Sequence, residues 1–185
     1  MTPFQKHKKK WRNCERCDLY ERRSKVVLCR GKLPCDILFV GEAPGISEDV
    51  LGRPFVGPAG KLLDRIIERA IGTDFRLAFT NLVGCIPKGE DGKKLTEPEP
   101  KCIKKCSSRL KELVLIAKPE LVFCVGKLSA KHMFDTIVGS AAPTLVNIVH
   151  PAAILRADIT QQGLMIQRVE VTIRQSVLEY LNYDT

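Results

Sequence analysis

Asp36-Ile37-Leu38-Phe39-Val40-Gly41 is a short apolar run that ends at glycine, the pattern of a strand buried on both faces. Similar runs recur at Arg76 to Thr80, Leu121 to Val125 and Leu145 to Val149. Helical spacing fills the intervals. Pro58 sits where a helix begins, Leu62, Leu63, Ile66, Ile67 and Ala70 form one apolar stripe, and Gly72 ends it. Cys106 to Ala117 and Lys127 to Ile137 read as further helices, and Ile166, Val169, Ile173, Val177 and Leu181 mark a last amphipathic one. Strands alternating with helices predict an α/β fold, with a central, mostly parallel four-stranded sheet covered on both faces. Ligands of such sheets bind beyond the carboxyl ends of the strands. The unusual sequence lies there, from Glu42, from Asn81 and from His150 onward.

The chain has 185 residues, 44% of them apolar and 28% charged, which suits one globular domain over 14–185. Residues 1–13 read as a basic, poorly ordered arm. No apolar run approaches the roughly 20 residues of a bilayer span, and no apolar stretch follows the basic N-terminus as in an export signal. An intracellular protein without membrane contact is expected. In that setting eight cysteines point to metal or cluster ligation, or to core packing, before disulfides. The net charge of +9 is clustered in Lys6, Lys8, Lys9, Lys10 and Arg12, and again in Lys93, Lys94, Lys101, Lys104, Lys105, Arg109 and Lys111. Such groups attract phosphate backbones through counterion release.

Gly41-Glu-Ala-Pro-Gly45 through Gly52-Arg-Pro-Phe-Val-Gly57-Pro-Ala-Gly60-Lys61 invites a phosphate-loop reading, which the spacing rejects. A Walker loop needs glycine where Phe55 stands and Ser or Thr where Leu62 stands, and the three-glycine dinucleotide spacing also fails. The glycines still let backbone approach a ligand, and Phe55 offers a flat apolar face.

The ordered set is more specific. Gly41-Glu-Ala-Pro-Gly45, Glu48-Asp49, Gly52-Arg-Pro-Phe-Val-Gly57, Ala59-Gly60 and Leu62-Leu63-Asp64 resemble the first motif of family 4, iron–sulfur uracil-DNA glycosylases. Thr80-Asn81-Leu-Val-Gly-Cys85-Ile-Pro87 resembles that family's second segment, and His150-Pro151-Ala-Ala-Ile154-Leu155-Arg156 its third. The resemblance implies a three-layer α/β sandwich. It also implies a base-excision DNA repair enzyme, a glycosidase that flips uracil out of DNA and hydrolyses its N-glycosidic bond.

The residue types suit that chemistry. Cleavage leaves an oxocarbenium-like sugar and a uracil anion. His150 can donate to the uracil oxygen where the negative charge collects. Asn81 presents donor and acceptor to the uracil edge, while Gly41, Ala43 and Phe55 complete a base-binding set. Glu42 can orient water or stabilise the sugar cation, and Glu48 either assists it or caps the next segment. A related family carries a water-activating aspartate at the Ala43 position, so this chain must manage differently. Covalent relatives carry glutamine there and a histidine in a basic loop, whereas 86–101 contains no histidine. Leu155 suits a wedge that fills the vacated base stack, and Arg156 a phosphate contact.

Cys14-Glu-Arg-Cys17 is a CxxC that zinc, redox and cluster sites all use. The resemblance adds Cys85 and one later cysteine for a [4Fe–4S] cluster. Cys106 has the family's spacing to the next strand, and Cys102 is the alternative. The stretch from Lys88 to Lys94 departs from the family and is longer. The competing reading is a non-catalytic iron–sulfur or zinc nucleic-acid-binding module. It accounts for cysteines and charge but leaves Glu42, Asn81 and His150 without a role. A monomer acting on uracil-containing DNA is expected.

Overall fold

The computed structural model describes residues 1–89, 91–92, 94–136 and 142–181; Lys93 and Ile137 of the expectations above lie outside them. In chain order the elements are α1 (Pro3–Trp11), a 3-10 turn (Asp18–Glu21), β1 (Arg30–Gly31), β2 (Ile37–Gly41), α2 (Ile46–Leu51) and α3 (Pro58–Ile71). Then follow β3 (Leu77–Asn81), α4 (Pro100–Ala117), β4 (Leu121–Val125), α5 (Lys127–Thr136), β5 (Thr144–Ile148), α6 (Pro151–Arg156) and α7 (Ile159–Tyr180). The sheet runs β1-β3-β2-β4-β5. β2 pairs in parallel with β3 and β4, and β4 with β5.

Each buried strand splits its side chains between two cores, as a period of two requires. Ile37 and Phe39 of β2, Phe79 of β3 and Phe123 of β4 face one side, where α3, α6 and α7 supply Leu63, Ile66, Ile154, Val169 and Ile173. Phe39 stacks between Phe79 and Phe123, with centroids 5.1 and 5.0 Å apart. Leu38, Val40, Ala78, Val122 and Cys124 face the other side, against Ile103 and Leu110 of α4 and Met133 of α5. Helices, sheet and helices make three layers, the fold expected.

Three features differ from expectation. The sheet has five strands because Arg30–Gly31 pairs antiparallel with β3 at the edge; two residues are too few to show periodicity. The N-terminal arm contains a helix. Thr2 Oγ1 accepts from Gln5 N at 3.2 Å while Gln5 Oε1 accepts from Thr2 N at 2.7 Å, closing a capping box with Pro3 at the first helical position. His7 and Trp11 are buried, and Trp11 Nε1 donates to Glu112 Oε2 of α4 at 3.1 Å. Finally, α4 starts at Pro100, more than one and a half turns before Cys106. Among the described residues no helix is long and apolar enough to cross a membrane.

Candidate active site and cysteine cluster

β2 ends at Gly41 and β3 at Asn81, register partners in adjacent strands, while β5 leads through Val149 to His150, the N-cap of α6. Their carboxyl ends open into one cleft of about 230 Å³, lined by Glu42, Ala43, Phe55, Asn81 and His150 among others. Gly41 lies behind this wall. A Cβ there would stand 2.5 Å from Asn81 Oδ1 and 2.6 Å from Phe55 Cζ, so only glycine lets the amide and the ring close together. Phe55 itself has φ 55°, left-handed backbone that a bulky residue adopts at a cost of about 1–3 kcal/mol. α3 holds it there: a Cβ on Gly60 would fall 2.0 Å from the Phe55 carbonyl oxygen. Strain kept in place beside a cleft is characteristic of ligand-binding positions.

His150 accepts from Ala152 N at its Nδ1, 3.1 Å away. An acceptor Nδ1 leaves the proton of the neutral ring on Nε2, the tautomer that donates. Burial holds the imidazole below its usual pKa, and the Arg156 charge adds to the effect. The ring is therefore a neutral donor at neutral pH. Glu42 moves the other way: burial raises its carboxyl pKa, Glu97 adds to the rise, and the Leu128 backbone and Arg156 oppose it. Gly126, between β4 and α5, separates the two side chains. Its φ is +98°, and a Cβ would lie 2.5 Å from Glu42 Oε1 and 3.2 Å from His150 Cβ.

Glu48 borders the cleft, but its Oε1 is engaged as acceptor for Val56 N at 2.9 Å and Gly57 N at 2.7 Å. Of the two roles expected for it, geometry matches the cap, since Gly57 is the N-cap of α3. Asp49 is buried and accepts from Ser24 N at 2.9 Å. On α6, Ile154 is fully buried while Leu155 is 43% exposed and Arg156 is exposed. Leu155 thus projects outward from a short helix beside the cleft.

Cys14, Cys17, Cys85 and Cys106 line a second, smaller cavity. Cys102 lines a different one with Asp18 and Glu99, although Cys17 is near enough to help raise its thiol pKa. Among the described residues no three His, Cys, Asp or Glu side chains already stand at metal-holding spacing. The donor set still fits an anionic cluster: Arg23 Nη1 donates to Cys85 Sγ at 3.5 Å and Arg109 Nε to Cys106 Sγ at 3.2 Å, and apart from charged tips the walls are apolar, with Leu19, Val26 and Val83. Cys124 is core, in β4.

Sequence reasoning missed three contributors. Gly126 carried a signal only as a glycine after a strand. Leu95, Thr96 and Pro98 also line the cleft, on the return arm of a small hairpin closed by the Lys88–Leu95 bridge and by Thr96 N donating to Pro87 O at 2.9 Å. Arg109 belongs to no surface patch: it is 1% exposed, whereas Lys94, Lys101, Lys104, Lys105 and Lys111 are exposed.

The model of the uracil DNA glycosylase superfamily matches residues 30–169. A type-4 uracil-DNA glycosylase of Pyrobaculum aerophilum is 31% identical over 78% of this chain and 81% of its own length. Another, of Sulfurisphaera tokodaii, is 37% identical over 73% of this chain and 60% of its own, and one of Saccharolobus solfataricus is 37% identical over 66% and 55%. The chain thus spans less than two thirds of the latter two relatives. The crystal structure of wild-type Pedobacter heparinus SMUG2 superposes with a TM-score of 0.58 at 16% identity, over 79% of this chain and 75% of that one, a likeness of fold.

Proposed function

The chain belongs to the uracil DNA glycosylase superfamily and to its type-4 group, and from that premise we propose that it excises uracil from DNA by hydrolysing the N-glycosidic bond. The observation that carries the reading is the joint opening of Phe55, Asn81, Glu42 and His150 onto one cleft at the ends of β2, β3 and β5. A base extruded from the stack lies against the Phe55 ring. The Asn81 amide pairs with the uracil edge and disfavours cytosine, whose exocyclic amine presents a donor where uracil has an acceptor.

As the bond between sugar C1′ and the base nitrogen breaks, its electron pair leaves with uracil. His150, with Nδ1 engaged, turns Nε2–H to the uracil oxygen and stabilises that anion without transferring a proton. Glu42, as carboxylate, faces the cationic sugar and orients the water that adds to C1′; the proton that water gives up passes to the Glu42 carboxylate and from there to solvent, while uracil departs as its anion. With alanine at position 43, Glu42 carries the negative charge of this motif. Leu155 fills the gap in the duplex and Arg156 holds the phosphate.

Cys14, Cys17, Cys85 and Cys106 would hold a [4Fe–4S] cluster. When bound, that group supplies a cross-link between three chain segments; cleaving a glycosidic bond requires no redox step. The protein acts inside the cell, as a monomer, in base-excision repair of uracil-containing DNA.

Release of uracil from a labelled oligonucleotide tests the activity. The parent protein releases uracil and leaves an abasic site. Asn81→Asp loses roughly a hundredfold or more, because a paired polar contact is replaced by a repelling charge. Binding of uracil-containing DNA without release would identify a binding module in place of an enzyme.

A further inference from the structure

Arg109 is a full positive charge at 1% exposure, and its surroundings offer it almost no negative charge. Nη1 donates to Thr80 Oγ1 at 3.3 Å, and Nη2 to the carbonyls of Asn81 and Leu82, the latter at 3.2 Å. Those acceptors are neutral. Among the described residues no carboxylate forms an ion pair with it, although seven other close Lys or Arg contacts with carboxylates are present. A buried guanidinium with only neutral acceptors is costly, and buried charges are ordinarily paired. The remaining contact, from Nε to Cys106 Sγ at 3.2 Å, reaches the wall of the cysteine cavity, which Arg109 itself lines.

We infer that Arg109 is a positioning residue whose charge is neutralised by the four-thiolate cluster and whose other edge fixes the backbone that carries Asn81. The inference rests on the iron–sulfur reading of Cys14, Cys17, Cys85 and Cys106. A net anionic cluster supplies the missing counter-charge on the Nε side. The planar fork then spans from Cys106 to the last residue of β3 and the one after it, a geometry that a lysine cannot reproduce. Leu82 N donates to Gly41 O at 2.9 Å and Val83 N to Glu42 O at 3.2 Å. The anchored segment therefore continues into the floor of the cleft. The cluster acquires a second consequence beyond cross-linking: its charge stabilises the arginine that holds the base-reading asparagine in place.

The test uses the anaerobically purified protein and two readouts independent of catalysis: bleaching of cluster absorbance by an iron chelator, and amide hydrogen exchange of the peptide covering 78–86. In the parent, stripping the cluster is expected to speed exchange in that peptide. Arg109→Met should lose its cluster at least tenfold faster, exchange fast even when loaded, and change little on stripping. Arg109→Lys should recover part of the cluster's lifetime by restoring charge, while leaving exchange fast because the fork is gone. A Met variant that keeps its cluster as long as the parent overturns the inference, and so does one whose exchange still responds fully to stripping. Should Arg109→Met not fold, the parent's exchange with and without cluster decides: no difference over 78–86 also overturns it. A parent that binds no iron removes the cluster reading itself, an outcome distinguishable from a brown protein in which Arg109 has no influence.

Discussion

At the scale of single residues, burial in the cleft shifts two titrations in opposite directions. His150 must bind a proton to become cationic, and burial lowers its pKa; Glu42 must lose one to become anionic, and burial raises its pKa. A neutral His150 and an ionised Glu42 coexist from neutral pH upward. Acidification protonates Glu42 at a pH above the ordinary value of about 4.3 for glutamate, because burial disfavours its carboxylate. The value of kcat/KM is thus expected to be level near neutrality and to fall in acid. Glu42→Gln should give a low profile without that limb, as a pH series of uracil release would reveal. Linkage has a definite sign for His150: the unfolded chain takes up its proton near about pH 6.5, the folded chain only lower, so stability falls as pH drops through that window. Glu42 contributes oppositely, since the folded state binds its proton more readily than the unfolded one. Melting curves should show His150→Asn losing less stability on acidification than the parent. Gly126 governs both groups. Gly126→Ala places a Cβ on the Glu42 oxygen at a left-handed φ, which predicts a loss of about 1–3 kcal/mol in stability and at least tenfold in cleavage rate. Parent-like melting and rate would show that the carboxylate and imidazole tolerate separation.

At the scale of elements, what was legible follows from where each signal comes from. Burial on both faces makes β2 and β4 continuous apolar runs, and all four longer strands appear within about a residue of their expected limits. The cleft residues were legible because strand ends are where glycine, glutamate, asparagine and histidine break the apolar pattern. β1 was not, having only two residues. α1 was hidden by its charge, although Thr2, Pro3 and Gln5 spell the start of a helix. Arg109 was misread because a cation on an amphipathic helix is ordinarily at the surface, and only the packing of α4 on β3 buries it. The hairpin after Cys85 escaped because its contacts with the cleft are tertiary. α6 carries the wedge prediction. Its N-cap is His150, the proposed hydrogen-bond donor to the base, so on that reading base binding and base extrusion share one short helix; Leu155 alone of its large apolar side chains faces out. Leu155→Ala should lose more activity on paired than on single-stranded uracil, because only a duplex leaves a stack to fill. His150→Ala should impair both substrates alike. Equal losses for Leu155→Ala would remove the wedge and leave His150 in place.

At the scale of the whole molecule, the four candidate ligands come from three places far apart in the chain: the segment after α1, the turn after β3, and the middle of α4. A cluster held by them closes long loops, and cross-links of that kind stabilise chiefly by constraining the unfolded chain. The N-terminal segment is otherwise tied down by His7, Lys10 and Trp11 against Glu112, Arg16 on Ser108 Oγ at 2.6 Å, Lys101 on Asp18 at 2.7 Å and Arg22 on the Gly89 carbonyl at 2.6 Å. Which cysteine of α4 completes the set is then a question of helix phase. Cys102 and Cys106 are four residues apart, on neighbouring turns of one face; Cys102 lies near Cys17, and Cys106 shares a cavity with it. They differ in what lies around them. Cys106 shares its cavity with Cys14, Cys17 and Cys85 and receives the Arg109 donor. Cys102 opens toward Asp18, Glu99 and Lys88, a polar recess that none of the other three cysteines lines. Anaerobically prepared parent protein is expected to be brown, with broad absorption near about 400 nm from thiolate-ligated iron. Cys106→Ser should be colourless and melt at a lower temperature, whereas Cys102→Ser should retain both the colour and the melting point of the parent. The reverse pattern would transfer the fourth ligand to Cys102 and turn Arg109 away from the cluster. A colourless parent holding one zinc per chain would instead assign the same four thiols to a tetrahedral metal site.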